Sequence, residues 1–531
     1  MLRFGGLLLA SSGTYLVKLP KESLGQSLSL ALVENLLMEE SPRAKMTPES
    51  FAFAVQQKLS ACGDPKHAPC QLAELFRFAF DASAEATALR HILQSELLRW
   101  TLQKASAHAR YYDRTVYREP VTTCPGAQPE MGHWPIIRRD EVINNTMAML
   151  ADDATFGAIC HTSGCTGPAL SIYKSAEELS FIWEYQTRLL RPVQKKLSSR
   201  PLVLSMPNLY HGTPVSVPSL GKVFVGGVTD DLLLGDLVKL LRQKFHIRGH
   251  DQRFSIITCL VHQMQFLTSF LLEQGIDPRE FEIKSINVVG GYLTKRGREY
   301  LRNAWGAVIF DRFSLTESVG GATRCHSCGY FHLDPHVIGE VLDADTDEPL
   351  TQGVGRLVLT QLYPFVQMQP LVRYDTGDLV CRIESSCHPA FTFEFAGKEK
   401  NCIGWRPSEK TEWLLLSAAL HDLLDPIPDF QRVEQFRGVR ATCDPSVGSL
   451  PIYILSKSTS KPSCLQITLT AELRYTPHFY TERTTALRNI INKGLTDSHP
   501  LLAARIADKS VHFETVFVGP GALGDIRVLK I

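Results

Sequence analysis

Nowhere in the 531 residues does an apolar run approach the roughly 18 to 20 residues that cross a bilayer, and no sign of charge prevails, since 56 basic side chains face 55 acidic ones. The first absence leads to the expectation of a soluble protein with no membrane partner. The second argues against an electrostatic nucleic-acid binder or a polybasic anchor. The thirteen cysteines are an odd count scattered through a long chain, without the dense spacing of small secreted frameworks. Reduced thiols in the cytoplasm are therefore expected. Internal repeats and low-complexity tracts are missing as well. The opening MLRFGGLLLASSGTYLV has one Arg and small residues, as a secretory signal does, but its apolar centre is short and TYLVKLP continues like a strand.

What is present is ordinary globular composition, 44% hydrophobic and 21% charged, enough for two or three cores. Residues 1–95 read as a helical extension, with Thr47 capping a helix that opens on Pro48 and Glu49. From Glu96, ELLRWTLQKASAHARYYDR has helical spacing, and WPIIRRDEVINN follows as a docking loop with a new helix start. Branched apolar runs then alternate with helical stretches: PLVLSMPN, KVFVGGV, FSIITCLV, KSINVVGG and AVIFDRFS against DLLLGDLVKLLRQKF and LTKRGREYLRNAW. Such alternation predicts an α/β fold with a mostly parallel sheet covered on both faces, whose sites form where loops leave the carboxyl ends of strands. After about residue 335, turn-punctuated strands predict a smaller antiparallel β subdomain. The expected division is an extension over 1–95, a large core over 96–398 and a small α+β domain over 399–531.

Four segments carry chemistry. In ICHTSGCTGPALSIYKS, residues Thr162, Ser163, Gly164, Cys165, Thr166 and Gly167 form a small polar turn, expected between a strand and a helix. Its amides and hydroxyls can converge on a phosphate, although no Walker lysine follows the glycines. VVGGYLT ends a strand with Gly290 and Gly291, where missing side chains let a flat ring approach the backbone. FDRFSLTES places Thr316 and Glu317 at a strand end, one hydroxyl for a phosphate oxygen and one carboxylate for its Mg2+. RYDTGDLV puts Asp378 in a tight turn, where a carboxylate can accept both hydroxyls of a ribose. Together these are the parts of a nucleotide site.

These segments resemble those of the adenylate-forming (AMP-binding) ligases, and within them the phenylacetate-CoA ligase-like branch. TSGCTG is similar to that family's TSGTTG, FSLTE to YGLTE, and RYDTGDL to RY[RD]TGDL, while LLRWTLQKASAHARYYDR with WPIIRRDEV resembles the helix and lead of the branch. The resemblance covers roughly residues 95 to 400. It implies that a carboxylic acid, aromatic or other, attacks the α-phosphate of ATP, and that the acyl-adenylate passes its acyl group to coenzyme A, a carrier-protein thiol or an amine. It further implies that Thr162, Ser163, Gly164, Thr166 and Gly167 embrace phosphates, Thr316 contacts the α-phosphate, Glu317 holds the metal, Phe313 faces the adenine, and Asp378 takes the ribose. Lys398, in GKEKN, stands where the family has an arginine near the ribose, and Asn401 stands at the hinge. A homodimer is the family-level expectation.

The chain departs from this pattern in its cations. Gly167 runs directly into Pro168 where the family places Lys or Arg, leaving Lys174 as the nearest substitute. The family's glycine-glycine-carboxylate reads Gly290-Gly291-Tyr292, with the phenol expected to line the acyl pocket. The terminal GPGALGDIRVLKI has Gly524 or Asp525 at the place of the family's mobile lysine, with Arg527 and Lys530 nearby. Losing such a charge costs about 2 to 4 kcal/mol in the transition state. Three readings stay open: an active ligase, a nucleotide-binding relative with degenerate catalysis acting as scaffold or regulator, and an adenylyltransferase.

Finally, Cys259-x2-His262 and Cys325-x2-Cys328 are two pairs of soft ligands, expected to join in a closed structural zinc site, with His326 and His332 as substitutes. The competing expectations are that His262 lines the acyl pocket and that the cysteines are small buried hydrophobes.

Overall fold

A computed structural model of the chain describes residues 84–113, 131–162, 169–182, 202–206, 222–225, 231–247, 249–318, 320–384, 391–432, 451–461 and 464–523, and the paired strands Leu7–Leu9 and Tyr15–Val17. The helix expected after Thr47, the loop residues 163–168 and the C-terminal residues 524–531 lie outside the described residues.

Helix α1 (Ala84–His108) begins ahead of residue 96. Leu93, Leu97, Leu98 and Leu102 are fully buried in one core with Tyr112, Trp134 and Phe365, so the helix is an integral wall of that core. Polar residues on it are used as clasps: the Tyr363 amide donates to Thr101 Oγ1 at 2.8 Å, and Gln94 donates to the Pro335 carbonyl at 2.9 Å. Helix α2 (Arg139–Asn145) follows the docking segment. Strands β1 (Phe156–His161) and β2 (Ser171–Ser175) then pair antiparallel. The strand β2 that follows Pro168 stands where a helix is expected from the sequence.

The main body is an eleven-stranded mixed sheet built from β3 (Leu202–Met206), β4 (Lys222–Val225), β5 (Phe254–Leu260), β6 (Ser285–Val289), β7 (Val308–Ser314), β8 (Gly321–Arg324), β9 (Phe331–Leu333), β10 (Val337–Leu342), β11 (Gly353–Gln361), β12 (Tyr374–Ile383) and β13 (Thr392–Lys398). Its order is β10-β11-β12-β13-β9-β8-β7-β6-β5-β3-β4. The parallel half runs from β4 to β7, and the rest is antiparallel. Helices α3 (Asp231–Arg242), α4 (Val261–Glu273) and α5 (Lys295–Trp305) follow the branched strands, as the alternating pattern predicts. Met264, Leu267, Ile286 and Leu301 are fully buried between them. The antiparallel strands beyond residue 335 continue this same sheet, because β13 pairs with β9.

Beyond β13 lie β14 (Ile403–Trp405), β15 (Glu412–Leu415), α6 (Ser417–Leu424), β16 (Tyr453–Lys461), β17 (Cys464–Glu472), α7 (Thr481–Ser498), α8 (Pro500–Ala507) and β18 (Val511–Val518). The sheet β16-β17-β18 and its helices enclose a core of their own, with Phe430, Leu469, Ile491 and Leu502 fully buried. Among the described residues no helix is long and apolar enough to cross a membrane.

Candidate active site

β6 and β7 are adjacent parallel strands, with Val289 opposite Arg312. Their carboxyl ends therefore bring Gly290-Gly291 beside the Leu315–Glu317 turn, in the crevice where open α/β sheets place ligands. Gly290 has φ +67°, and a Cβ there would meet the Leu260 side chain at 2.6 Å. Phe313 is half-buried at the end of β7, with ring centroids of Phe393 and Phe395 at 5.6 and 6.0 Å. Thr316 is half-buried and Glu317 is 8% exposed. Gln361 Nε2 donates to the Glu317 carbonyl, pinning the turn to β11.

Tyr374, buried at the start of β12, donates its hydroxyl to Glu317 Oε1 at 2.9 Å. Burial and the Glu317 charge both push the Tyr374 phenol well above its usual range, so it stays a donor. On the same strand Gly377 adopts φ +67° and donates to Asp375 Oδ1 at 3.0 Å, while the Asp378 amide donates to Thr376 Oγ1 at 3.1 Å. Only a residue tolerant of the left-handed region makes that turn cheaply. Asp378 is 1% exposed, and Lys398, directly opposite on β13, places Nζ 2.6 Å from its Oδ1. Burial raises the Asp378 carboxyl, Lys398 opposes this, and the Glu317 charge raises it further. Strand β12 thus carries both the hydroxyl that holds Glu317 and the Asp378–Lys398 pair.

A cation reaches Glu317 from the docking segment. The Ile137 amide donates to the Arg373 carbonyl at 3.0 Å, and the Asp375 amide donates to the Ile137 carbonyl at 2.9 Å. Arg373 also donates to the Trp134 carbonyl at 2.9 Å while gripping Glu340 with two nitrogens at 3.0 Å. This lacing sets the start of α2 against the RYDTGD turn. Arg139 then reaches both ways: Nη2 donates to Thr162 Oγ1 at 3.2 Å, and Nη1 lies 3.8 Å from Glu317 Oε1. Thr162 closes the neck of the hydroxyl-rich turn, its amide donating to the Leu170 carbonyl at 2.9 Å and its Oγ1 accepting the Leu170 amide at 2.8 Å.

No family model matches the chain. A phenylacetate-coenzyme A ligase of Thermus thermophilus is 29% identical over 143 residues, 26% of this chain and 32% of that protein. The chain thus spans about a third of the length of the curated relative it matches. Among solved structures, a 2-hydroxyisobutyryl-CoA ligase in the postadenylation state in complex with R3-HIB-AMP superposes with a TM-score of 0.56 at 14% identity, covering 85% of this chain and 88% of that one. An open conformation of 2-hydroxyisobutyryl-CoA ligase with 2-HIB-AMP and CoA gives 0.56 and 14%, covering 83% and 91%. The chain has the adenylate-forming ligase fold.

Within that fold, Thr162, Gly290, Gly291, Phe313, Thr316, Glu317, Asp378 and Lys398 all lie among the described residues. Arg139 joins Thr162 to Glu317, Tyr374 ties Glu317 to β12, and Asp378 on that strand pairs with Lys398 on β13. Ser163, Gly164, Thr166 and Gly167 lie outside the described residues, as do Arg527 and Lys530. Arg139 and Tyr374 carry no motif of their own beyond their place in WPIIRRDEV and RYDTGDLV, and nothing local in the sequence marks either as a site residue.

Three expectations are corrected. Lys174 is 1% exposed on β2, with Nζ 3.8 Å from Glu178 Oε1; its charge is committed to a buried carboxylate, so it is no substitute for the missing loop cation. The Tyr292 hydroxyl donates to Asp422 on α6 at 3.0 Å, so the phenol serves the contact with the C-terminal unit and not an acyl pocket. Beside it Thr294 donates to Asp425 at 2.7 Å and the Lys295 amide donates to Asp422 at 2.9 Å. The third concerns the zinc ligands. Cys259 is buried on β5, in the core packed by α4, and β5 stands three strands from β8 in the sheet, about 14 Å at the usual strand spacing. Cys259 and His262 therefore do not join Cys325 and Cys328; the group of potential ligands is Cys325, Cys328 and His332.

Proposed function

We propose that the chain is an ATP-dependent, AMP-forming acid ligase. A substrate carboxylate oxygen attacks the α-phosphorus of ATP, the bond to pyrophosphate breaks, and a thiol then displaces AMP from the acyl-adenylate. Coenzyme A is the favoured thiol, since the relative is a coenzyme A ligase and one structural neighbour was solved with CoA. The observation that carries the reading is the meeting of Arg139, Thr162, Glu317 and Tyr374 past the carboxyl end of β7, with the Asp378–Lys398 pair on the strand that carries Tyr374.

Each group has a task. Asp378, buried beside Lys398, accepts the ribose hydroxyls, and Phe313 covers the base. Thr316 and the hydroxyls of the 162–167 turn donate to phosphate oxygens. Arg139, bridging Thr162 and Glu317, supplies the positive charge that the turn itself lacks, spreading charge as the pyrophosphate leaves. The donor set suits Mg2+: a hard carboxylate oxygen, fixed by the Tyr374 hydroxyl, with the remaining positions left to phosphates and water. Magnesium at Glu317 would neutralise phosphate charge.

The committed charge of Lys174 favours a second reading, a nucleotide-binding relative with slowed chemistry. Acid-dependent exchange of labelled pyrophosphate into ATP, surveyed over aromatic and short aliphatic acids, separates the two. Exchange with at least one acid is expected. ATP binding without exchange across the panel moves the assignment to the second reading.

A further inference from the structure

The hairpin between β8 and β9 holds three soft ligand atoms that the ATP site does not use. Cys325 and Cys328 are half-buried and His332 is 3% exposed. Their Sγ and imidazole nitrogen atoms lie within 4.8 Å of one another, with Cys328 Sγ 3.1 Å from His332 Nε2.

The backbone is shaped around the sulfurs. The Cys325 amide donates to the Tyr330 carbonyl at 2.8 Å, and the Gly329 amide donates to the Cys325 carbonyl at 2.9 Å. Gly329 takes φ +79°, which lets the chain turn back directly after Cys328. Inside the loop the Ser327 amide points at Cys325 Sγ at 3.4 Å. Arg324 ties the hairpin down, donating to the Gly329 carbonyl at 2.7 Å while pairing with Asp311 at 2.9 Å and Glu394 at 2.8 Å. His332 sits opposite Thr323 in the ladder, so strand pairing, not loop conformation, presents its ring to the cysteines.

We propose that Cys325, Cys328 and His332 bind a zinc ion that clips the β8–β9 hairpin. Zinc bonds of about 2.3 Å to sulfur and 2.0 Å to nitrogen set ligand atoms roughly 3.5 to 3.8 Å apart in a tetrahedron, so side-chain rotation closes the group without moving the backbone. Two thiolates and one imidazole suit zinc over magnesium or calcium, and binding releases the thiol protons to solvent. The fourth position is left to water. The hairpin stem also carries the Thr323 hydroxyl, which accepts from Arg312 at 3.1 Å; Arg312 pairs with Asp334, and Asp334 Oδ2 accepts the Gly321 amide at 2.8 Å just after the Glu317 turn. A clip at the tip therefore steadies the strand that returns from the ATP site.

The test uses the full chain. Metal analysis of protein purified without chelator is expected to find about one zinc per chain. Cobalt added to the zinc-free protein is expected to give sulfur-to-cobalt charge-transfer and tetrahedral d–d bands. Cys325→Ser, Cys328→Ser and His332→Ala should each weaken binding by about a hundredfold or more, whereas His332→Cys should keep it with an intensified charge-transfer band, and Cys259→Ser should leave it unchanged. Negligible zinc with no cobalt bands in the parent, a Cys325–Cys328 disulfide, or loss of metal in Cys259→Ser but not in Cys325→Ser would each overturn the proposal. The parent's cobalt titration decides the matter even where a Ser variant fails to fold.

Discussion

Arg139 holds Glu317 and Thr162 at once, lying 3.8 Å from the carboxylate and donating to the hydroxyl at 3.2 Å. In the ATP site proposed above these two residues, 155 positions apart in the sequence (317 minus 162), stand at the ends of the phosphate-binding machinery, and one guanidinium spans them. Replacing Arg139 with Ala is expected to slow acid-dependent ATP–pyrophosphate exchange by about a hundredfold to a thousandfold, acting on kcat more than on the KM for the acid. Lys at 139 should recover part of the rate, because it restores charge but not the forked geometry. Arg138→Ala, at a neighbouring exposed side chain, should stay near the parent. An unchanged rate in Arg139→Ala would remove this cation from the chemistry.

Glu317→Gln keeps the shape and the acceptor for Tyr374 but removes the charge that attracts magnesium. Exchange should fall by about a hundredfold or more, with partial recovery at high Mg2+. Steady-state rates measured across a magnesium titration check this, and a parent-like magnesium curve would show that the metal is held elsewhere.

The pairing of Lys398 with the buried Asp378 makes a stability prediction. Lys398→Met leaves a carboxylate at 1% exposure without its counter-charge, which costs about 3 kcal/mol in urea unfolding. Burial already raises the Asp378 carboxyl and Lys398 holds it down, so the variant's carboxyl rises further. A raised acid favours the protonated folded state, whose stability is present at low pH and lost as pH rises. The deficit of Lys398→Met should therefore be larger at neutral than at acid pH. Lys398→Met with Asp378→Asn should cost less than Lys398→Met alone.

Two deeply buried imidazoles set an acid limit. His336, stacked on Phe365 at 4.5 Å, and His421, 3.0 Å from the Tyr453 hydroxyl, are each pushed down from 6.5 to about 4, chiefly by burial. Below 6.5 the unfolded chain takes up protons that the folded chain refuses, so stability present above that pH is lost as pH falls toward 4, on the order of a few kcal/mol in all. Urea midpoints across that window should fall with pH, and His421→Gln should flatten the fall.

The strand-end motifs were legible because their chemistry is local. A hydroxyl or carboxylate after an apolar run announces the end of a strand, and Gly290-Gly291 and Thr316-Glu317 lie just past β6 and β7, whereas Asp378 stands inside β12 beside the left-handed Gly377. The alternation of branched strands with helices likewise specified the parallel half of the sheet, since burial on both faces leaves its mark on every residue of a strand.

Tertiary structure alone decided which cation meets Glu317 and which thiols gather. Arg139 is brought to Glu317 by backbone hydrogen bonds between residue 137 and residues 373 and 375, a pairing across more than two hundred positions that no local pattern encodes. Cys325 and Cys328 meet His332 because β8 and β9 pair in one register, while Cys259 is kept away by the width of the intervening strands. Residue type and spacing dictate what a segment can do chemically. Strand order and register dictate what it can reach, because side-chain contacts last only a few ångströms while sheet neighbours are chosen over the whole chain.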